Sequence, residues 1–368
     1  MTSPAALASV LDRPRLPALD GVRAIAVTLV MAAHVGVGSV GGLGVTIFFV
    51  LSGFLITWLL IKEYDAAGTV SLRAFYLRRA LRILPAYYVF LALSLAMDWR
   101  AGDGRSVRAA LPAVFYYLNY YNALHGHPTS SIAHAWSLAV EEQFYLLWPA
   151  VFVLLAARGQ RALAGGLVAA LAAVMAWRSI AYAVLGLGSA YAYDAFDCRF
   201  DCLAAGSLLA VACRSRRFVS AVDGCARRWQ GWPLGVACAL VLASELTSSR
   251  LRYTIGFTAE ALVIAFAISQ LLLVSARLPW RGLDAGPVRY LGRVSYGMYL
   301  YHLWGLGAGA ALAGAHTRLA LPAGFLATVG FASISHYAIE RPFLALRARL
   351  SAGGRAPRLP ALSWSPSL

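Results

Sequence analysis

Apolar stretches of about twenty residues recur along the whole of this sequence, and nothing else in it limits the possible folds so strongly. A helix rises about 1.5 Å per residue, so such a run matches the ~30 Å hydrocarbon core of a bilayer. Ten segments qualify, at about 20–38, 42–61, 82–97, 136–157, 162–185, 200–213, 232–246, 254–275, 290–312 and 319–339, the sixth of them short. The sequence therefore reads as an all-α integral membrane protein with about ten transmembrane helices. Its 60% hydrophobic and 13% charged residues depart from the soluble averages of roughly 45–50% and 25% in the same direction. Segment 108–122 is also apolar, but Pro112 and the cluster Tyr116, Tyr117, Asn119, Tyr120 and Tyr121 suit the membrane interface better.

The net charge of +16 would suggest nucleic acid in a soluble chain. Here the positive-inside rule explains it. With the N-terminus in the cytoplasm, 23 of the 32 Lys and Arg fall in inner loops and tails and six in outer loops; Arg23, Arg178 and Arg199 lie at or within spans. Both termini are thus expected in the cytoplasm, in a plasma membrane of bacterial type. No basic patch interleaved with aromatics marks a nucleic-acid surface. The expected organisation is a disordered cytoplasmic tail over 1–18, a membrane domain over 19–343 and a basic cytoplasmic tail over 344–368, rich in Pro, Ser, Ala and Arg from 351 on. No signal-peptide pattern, internal repeat or appended soluble domain is seen, so any chemistry is expected inside the membrane domain.

Polar residues within the spans are costly and direct attention to function. In "LDGVRAIAVTLVMAAHVGVG", Arg23 and His34 are eleven residues apart, three turns plus about 20°, so they share a helix face about 16 Å apart. "GGLGVTIFFVLSGFLIT" (41–57) reads as a packing element around the first span, with Ser52 able to hydrogen-bond inward. Arg78, Arg79 and Arg82 form a basic knot at the inner end of the third span, and guanidinium forks match phosphate oxygens. Ser137, Glu141 and Tyr145 make an i, i+4, i+8 stripe, with Glu142 about 100° away; Glu141 is expected to meet His34 and fix its tautomer. Asp197, Arg199 and Asp201 stand at an outer span mouth, as a mutual ion pair or an acceptor entrance. His302 sits mid-span and reads as a satisfied core histidine; Glu340 reads as a cap or an arginine partner. His125, His127 and His134 lack one-face metal spacing, and Cys198, Cys202, Cys213, Cys225 and Cys238 have no zinc or disulfide pattern, so no metal is expected.

Together these segments resemble the membrane-bound acyltransferase family 3, the O-acyltransferases that decorate polysaccharides and natural products. The resemblance runs from about 15 to 343 and rests on the shared order of Arg-x10-His, the FFxLSGFL segment, Arg-x-x-Arg, Ser-x3-Glu-x3-Tyr, Asp-x-Arg-x-Asp, SYxxYLxH and a terminal Glu-x-Pro. It implies an acyl-CoA donor, commonly acetyl-CoA, and a hydroxyl acceptor: a cell-envelope polysaccharide, a lipid-linked glycan, or a glycosylated small molecule such as a macrolide. On that reading His34 is the base with Glu141 and Glu142 as catalytic carboxylates. Arg23, Arg78, Arg79 and Arg82 hold the donor, and Ser137, Tyr145, Asp197, Arg199, Asp201 and His302 face the substrate. A homo-oligomer in the bilayer is compatible with it. The alternative from another class is a transporter or flippase using intramembrane His, Glu and Asp as a proton relay. The lack of repeat symmetry weighs against it.

Overall fold

The computed structural model describes residues 7–346 apart from 12, 14–15, 37–39, 103, 127–129, 230, 245–247, 276, 278–279 and 315–316. Among them every regular element is helical. The chain is an all-α membrane protein, and among the described residues seven helices are long and apolar enough to cross a bilayer.

A short helix α1 (Leu7–Leu11) precedes α2 (Pro17–His34), α3 (Gly41–Ala67) and α4 (Leu72–Arg100). Pro17 opens α2, where its missing N–H costs nothing, and Asp20 in the first turn pairs with Arg23 at 3.0 Å. Gly68 ends α3 in the left-handed region at φ 72°, a conformation that only glycine adopts freely. Two short helices follow, α5 (Gly104–Val114) and α6 (Leu118–His125), separated by a turn in which Tyr116 takes φ 53°. A single 3₁₀ turn, Ala133–Ala135, leads into α7 (Trp136–Ala156). Then come α8 (Gln160–Ala183), α9 (Gly188–Asp194), α10 (Phe196–Ala212), α11 (Arg216–Trp229), α12 (Trp232–Ser244) and the one-turn α13 (Ser249–Leu251). A π-turn joins α13 to α14 (Phe257–Val274). The chain closes with α15 (Gly286–Arg293), α16 (Ser295–Ala313) and α17 (Thr317–Ser335), the last running into a π-turn over His336–Glu340.

Seven of the ten expected spans coincide with the seven long helices. The other three are helical but differ in form. Those at 200–213 and 232–246 become the shorter α10 and α12, and that at 290–312 breaks at Val294 into α15 and α16. Part of the expected tail over 1–18 is ordered among the described residues. Leu7, Val10 and Leu11 are buried in the main core and α2 begins at Pro17, because α1 turns an apolar face inward. The tail beyond 346 lies outside the described residues.

The Gly-rich segment does pack α3 against α2: a Cβ on Gly44 would stand 2.5 Å from the Ala26 carbonyl oxygen. It also seats α3 on α10. A Cβ on Gly53 would lie 1.9 Å from the Leu203 oxygen, and one on Gly206 would lie 2.0 Å from the Val50 oxygen. Both obstructions are backbone, so neither helix can yield locally, and small residues are what allow so close a crossing. Gly53→Ala or Gly206→Ala is therefore expected to cost about 1–3 kcal/mol or more. Thermal unfolding of detergent-solubilised protein should show a lowered midpoint for each, whereas Gly165→Ala, in open space, should match the parent.

Candidate functional site

Inside the bundle are two chambers that adjoin at Val45 and Tyr299, which line both. The first is basic. Arg23 of α2, Arg79 and Arg82 of α4 and Arg293 of α15 line it, together with Ser52, Glu141, Glu142, Tyr145, Tyr296 and Glu340. The second, about 240 Å³ in volume, holds His34, His134, Trp136 and Tyr193 against the glycines at the start of α3. Helix α2 thus delivers Arg23 to one chamber and His34 to the other. Their shared face is what the spacing of eleven residues requires.

His34 is the last residue of α2, exposed to its chamber. Its Nδ1 lies 2.8 Å from the Val30 carbonyl oxygen, which can only accept, so in the neutral ring Nδ1 carries the proton and Nε2 the lone pair. The His302 ring stands edge-on to it at 4.7 Å, and the His134 ring also meets His302 edge-on at 4.7 Å. His302 is fully buried. Its Nδ1 donates to the Tyr299 carbonyl at 2.7 Å, while Nε2 has no hydrogen-bond partner among the described residues, so His302 is only half the satisfied core histidine expected.

The stripe on α7 faces the basic chamber as its spacing requires: Ser137, Glu141 and Tyr145 all line it. Its partner is different from the one expected. Glu141 Oε1 accepts from Ser52 Oγ at 2.6 Å, and Ser52 in turn accepts from the Tyr145 hydroxyl at 3.1 Å. Glu141 therefore caps a Tyr145–Ser52 chain and does not meet His34, whose Nδ1 is taken by its own helix. Ser52 is the partner, a hydroxyl whose position in the span already allowed it to hydrogen-bond inward. Glu142 lines the same chamber.

Of the basic knot, Arg79 and Arg82 reach the chamber and Arg78 does not. Arg78 pairs with Glu63 at 2.8 Å, because it leaves α4 on the side facing α3. The Arg79 guanidinium lies over the Tyr145 ring at 4.7 Å. Glu340 contacts His336 at 3.3 Å.

The Asp-x-Arg-x-Asp stretch of α10 enters neither chamber. Asp201 pairs with Arg178 of α8 at 2.8 Å, both fully buried, and Arg178 also donates to Thr258 and to the Thr254 and Cys198 carbonyls. Arg199, fully buried too, stacks over the Phe257 ring at 3.9 Å and donates to Thr46 at 3.0 Å. The mutual pairing expected for these residues is corrected: Asp201 takes Arg178, and Arg199 takes Thr46 and the Phe257 ring. Arg178, left over in the sequence as a charge within a span, was the missing counter-ion. Asp197 accepts from Tyr120, Tyr191 and Trp177. Burial, with the Asp197 carboxylate beside it, holds the Tyr120 phenol well above its usual range. Among the described residues no group of three or more His, Cys, Asp or Glu is arranged to hold a metal ion.

Comparison with known proteins adds a family. The model of an acyltransferase domain matches residues 16–337. The peptidoglycan O-acetyltransferase OatA of Listeria monocytogenes is 30% identical over 309 residues, covering 79% of this chain and 49% of that protein. A Bacillus subtilis protein, provisionally named a peptidoglycan O-acetyltransferase, is 32% identical over 315 residues, covering 78% of this chain and 48% of its own. A Staphylococcus aureus protein, provisionally named an O-acetyltransferase, is 38% identical over 151 residues, a quarter of its length. The chain spans half or less of the length of these relatives. No solved structure matches it.

Proposed function

Because the chain belongs to the acyltransferase family whose model covers residues 16–337, we propose that it is a membrane O-acyltransferase moving an acyl group, acetyl in the first instance, from acyl-CoA to a hydroxyl of a glycan or glycosylated natural product. Family membership sets aside the transporter reading. The observation that carries the proposal is the division of labour along α2. Arg23 stands with Arg79 and Arg82 in a basic chamber, and His34 stands in the next one with a lone pair on Nε2.

Coenzyme A suits that division. Its phosphates need guanidinium forks, and its slim pantetheine arm can cover the ~16 Å of helix between Arg23 and His34. In the reaction, the acceptor oxygen attacks the thioester carbonyl as its proton passes to His34 Nε2. The C–S bond then breaks, and the departing thiolate takes that proton, leaving an ester and the free thiol. The donor approaches from the cytoplasm, the side on which the positive-inside rule puts the Arg-rich loops and both termini. A cell-envelope glycan is the acceptor class that the names of the relatives favour, with a polysaccharide or macrolide hydroxyl as the wider class.

Acetyl-CoA turnover by purified protein in nanodiscs, with envelope glycan as acceptor, tests the reading. Arg79→Ala and Arg82→Ala are each expected to raise the acetyl-CoA KM by about tenfold or more, as loss of a charge-assisted hydrogen bond worth ~1.5–3 kcal/mol implies. Lysine should rescue poorly because it lacks the fork. An unchanged donor KM in both alanine variants would count against the phosphate role.

A further inference from the structure

Tyr299 of α16 and Val45 of α3 are the wall between the two chambers, and Tyr299 is latched in place. Its hydroxyl donates to the His134 carbonyl at 2.9 Å and lies 2.6 Å from Ser137 Oγ, which donates to it in turn. The ring is wedged as well. Phe48 meets it edge-on at 6.0 Å on the basic side, and His134 and His302 stand at 5.6 and 5.8 Å on the other. Two neutral hydrogen bonds and a rotatable phenol make a fastening that a tightly held ligand can open. Val45, which also lines both chambers, is a β-branched side chain with no polar atom. An arm that starts at the arginines and ends at His34 has to pass between these two residues. Beyond them the chamber of about 240 Å³ must take both the acyl group and the acceptor hydroxyl, with Val30, Ala33 and Val45 forming its apolar side.

We propose that Val45 and Tyr299 form a gate between the donor chamber and the His34 chamber, and that the aperture at Val45 sets the length of acyl chain that the protein transfers. The inference rests on the acyl-CoA reading above. The phenol of Tyr299 closes the passage when no donor is bound. With the donor seated, the ring swings off Ser137, the thioester passes, and Val45 is the surface against which the acyl tail packs. An acetyl group clears it; each further methylene meets the Val45 methyls. Ser137 thereby acquires a role: it is the half of the latch that belongs to the α7 stripe, reporting the state of the basic chamber to the gate.

The test is the acyl-CoA preference of the full chain in nanodiscs, with acetyl-, propionyl- and butyryl-CoA as donors and calorimetry for donor binding. Val45→Ala is expected to raise the butyryl-to-acetyl rate ratio by about tenfold, the lower end of what one methylene is worth in an apolar pocket. Val45→Phe is expected to lower acetyl transfer at least tenfold while acetyl-CoA binding changes less than about threefold. If the phenylalanine variant is not recovered folded, Val45→Ile supplies the same direction in milder form. Tyr299→Phe keeps the ring and removes the latch, so acetyl-CoA hydrolysis without acceptor should rise several-fold. An unchanged chain-length ratio in Val45→Ala, with wild-type binding and transfer intact, would overturn the gate alone. Failure of the wild-type protein to bind acetyl-CoA would overturn the donor reading and the gate with it.

Discussion

Alanine in place of His34 is expected to lower acyl transfer by about 10²–10⁴-fold, the contribution of a positioned general base. The expectation comes from where the proton sits. A hydroxyl is a poor acid and must lose its proton as it attacks, and His34 Nε2 is the lone pair left open because Nδ1 is committed to the Val30 carbonyl. The arginines proposed to bind the donor's phosphates are in the other chamber, so acetyl-CoA affinity should change little. The pair of measurements is therefore a turnover assay and a binding isotherm on the same preparation. Turnover within a few-fold of wild type would end the assignment of His34 as base. Loss of binding and turnover together would instead make His34 part of the donor site. His34→Gln carries an amide into the position of Nε2 but accepts no proton at neutral pH, and should be as inactive as alanine.

What could be read in the sequence was periodic, and what could not was the pairing between distant helices. The i, i+4, i+8 stripe needs only the pitch of one helix, and Ser137, Glu141 and Tyr145 do face one chamber. Arg23 and His34 likewise need only α2. Which residue completes a stripe depends on how helices cross, and that is fixed by close approaches such as Gly53 on Leu203, which no single-helix argument yields. So Glu141 went to the wrong partner, and Arg78 was grouped with Arg79 although one turn of α4 points it at Glu63. In the sequence the imidazole of His134 reads only as a candidate metal ligand with His125 and His127, and their spacing speaks against that. The fold brings it into ring contact with His302, which His34 also touches. Asp201 and Arg178 erred in the same way: two charges in separate apolar spans had each to find a counter-charge, and the cost of burying either alone made their pairing predictable in kind but not in identity.

Glu141→Gln is expected to lower kcat/KM by about two- to thirtyfold, and Glu142→Gln by less. The two carboxylates are adjacent in sequence and line the same chamber, so proximity does not separate them. Their partners do. Ser52 has one proton and gives it to Glu141, which obliges Ser52 to accept from Tyr145, on whose ring the Arg79 guanidinium rests. With Glu141 ionised, its charge sets the direction of a hydrogen-bond chain that ends beneath Arg79, one of the arginines proposed to hold the donor. A hydrogen bond to a charged acceptor is worth ~1.5–3 kcal/mol against about 1 for a neutral one, which gives the expected fold-change at ~1.4 kcal/mol per decade. Glutamine keeps the shape and can still accept from Ser52, so the protein should fold. If Glu141 acts through this chain, Ser52→Ala should resemble Glu141→Gln, and the double variant should be scarcely worse than either alone, since residues in one network do not add. Kinetics of the four proteins at matched expression make the cycle. Fully additive losses would mean that Glu141 acts independently of Ser52. A dead Glu142→Gln beside an active Glu141→Gln would mean that the wrong carboxylate has been chosen on the strength of its hydrogen bonds.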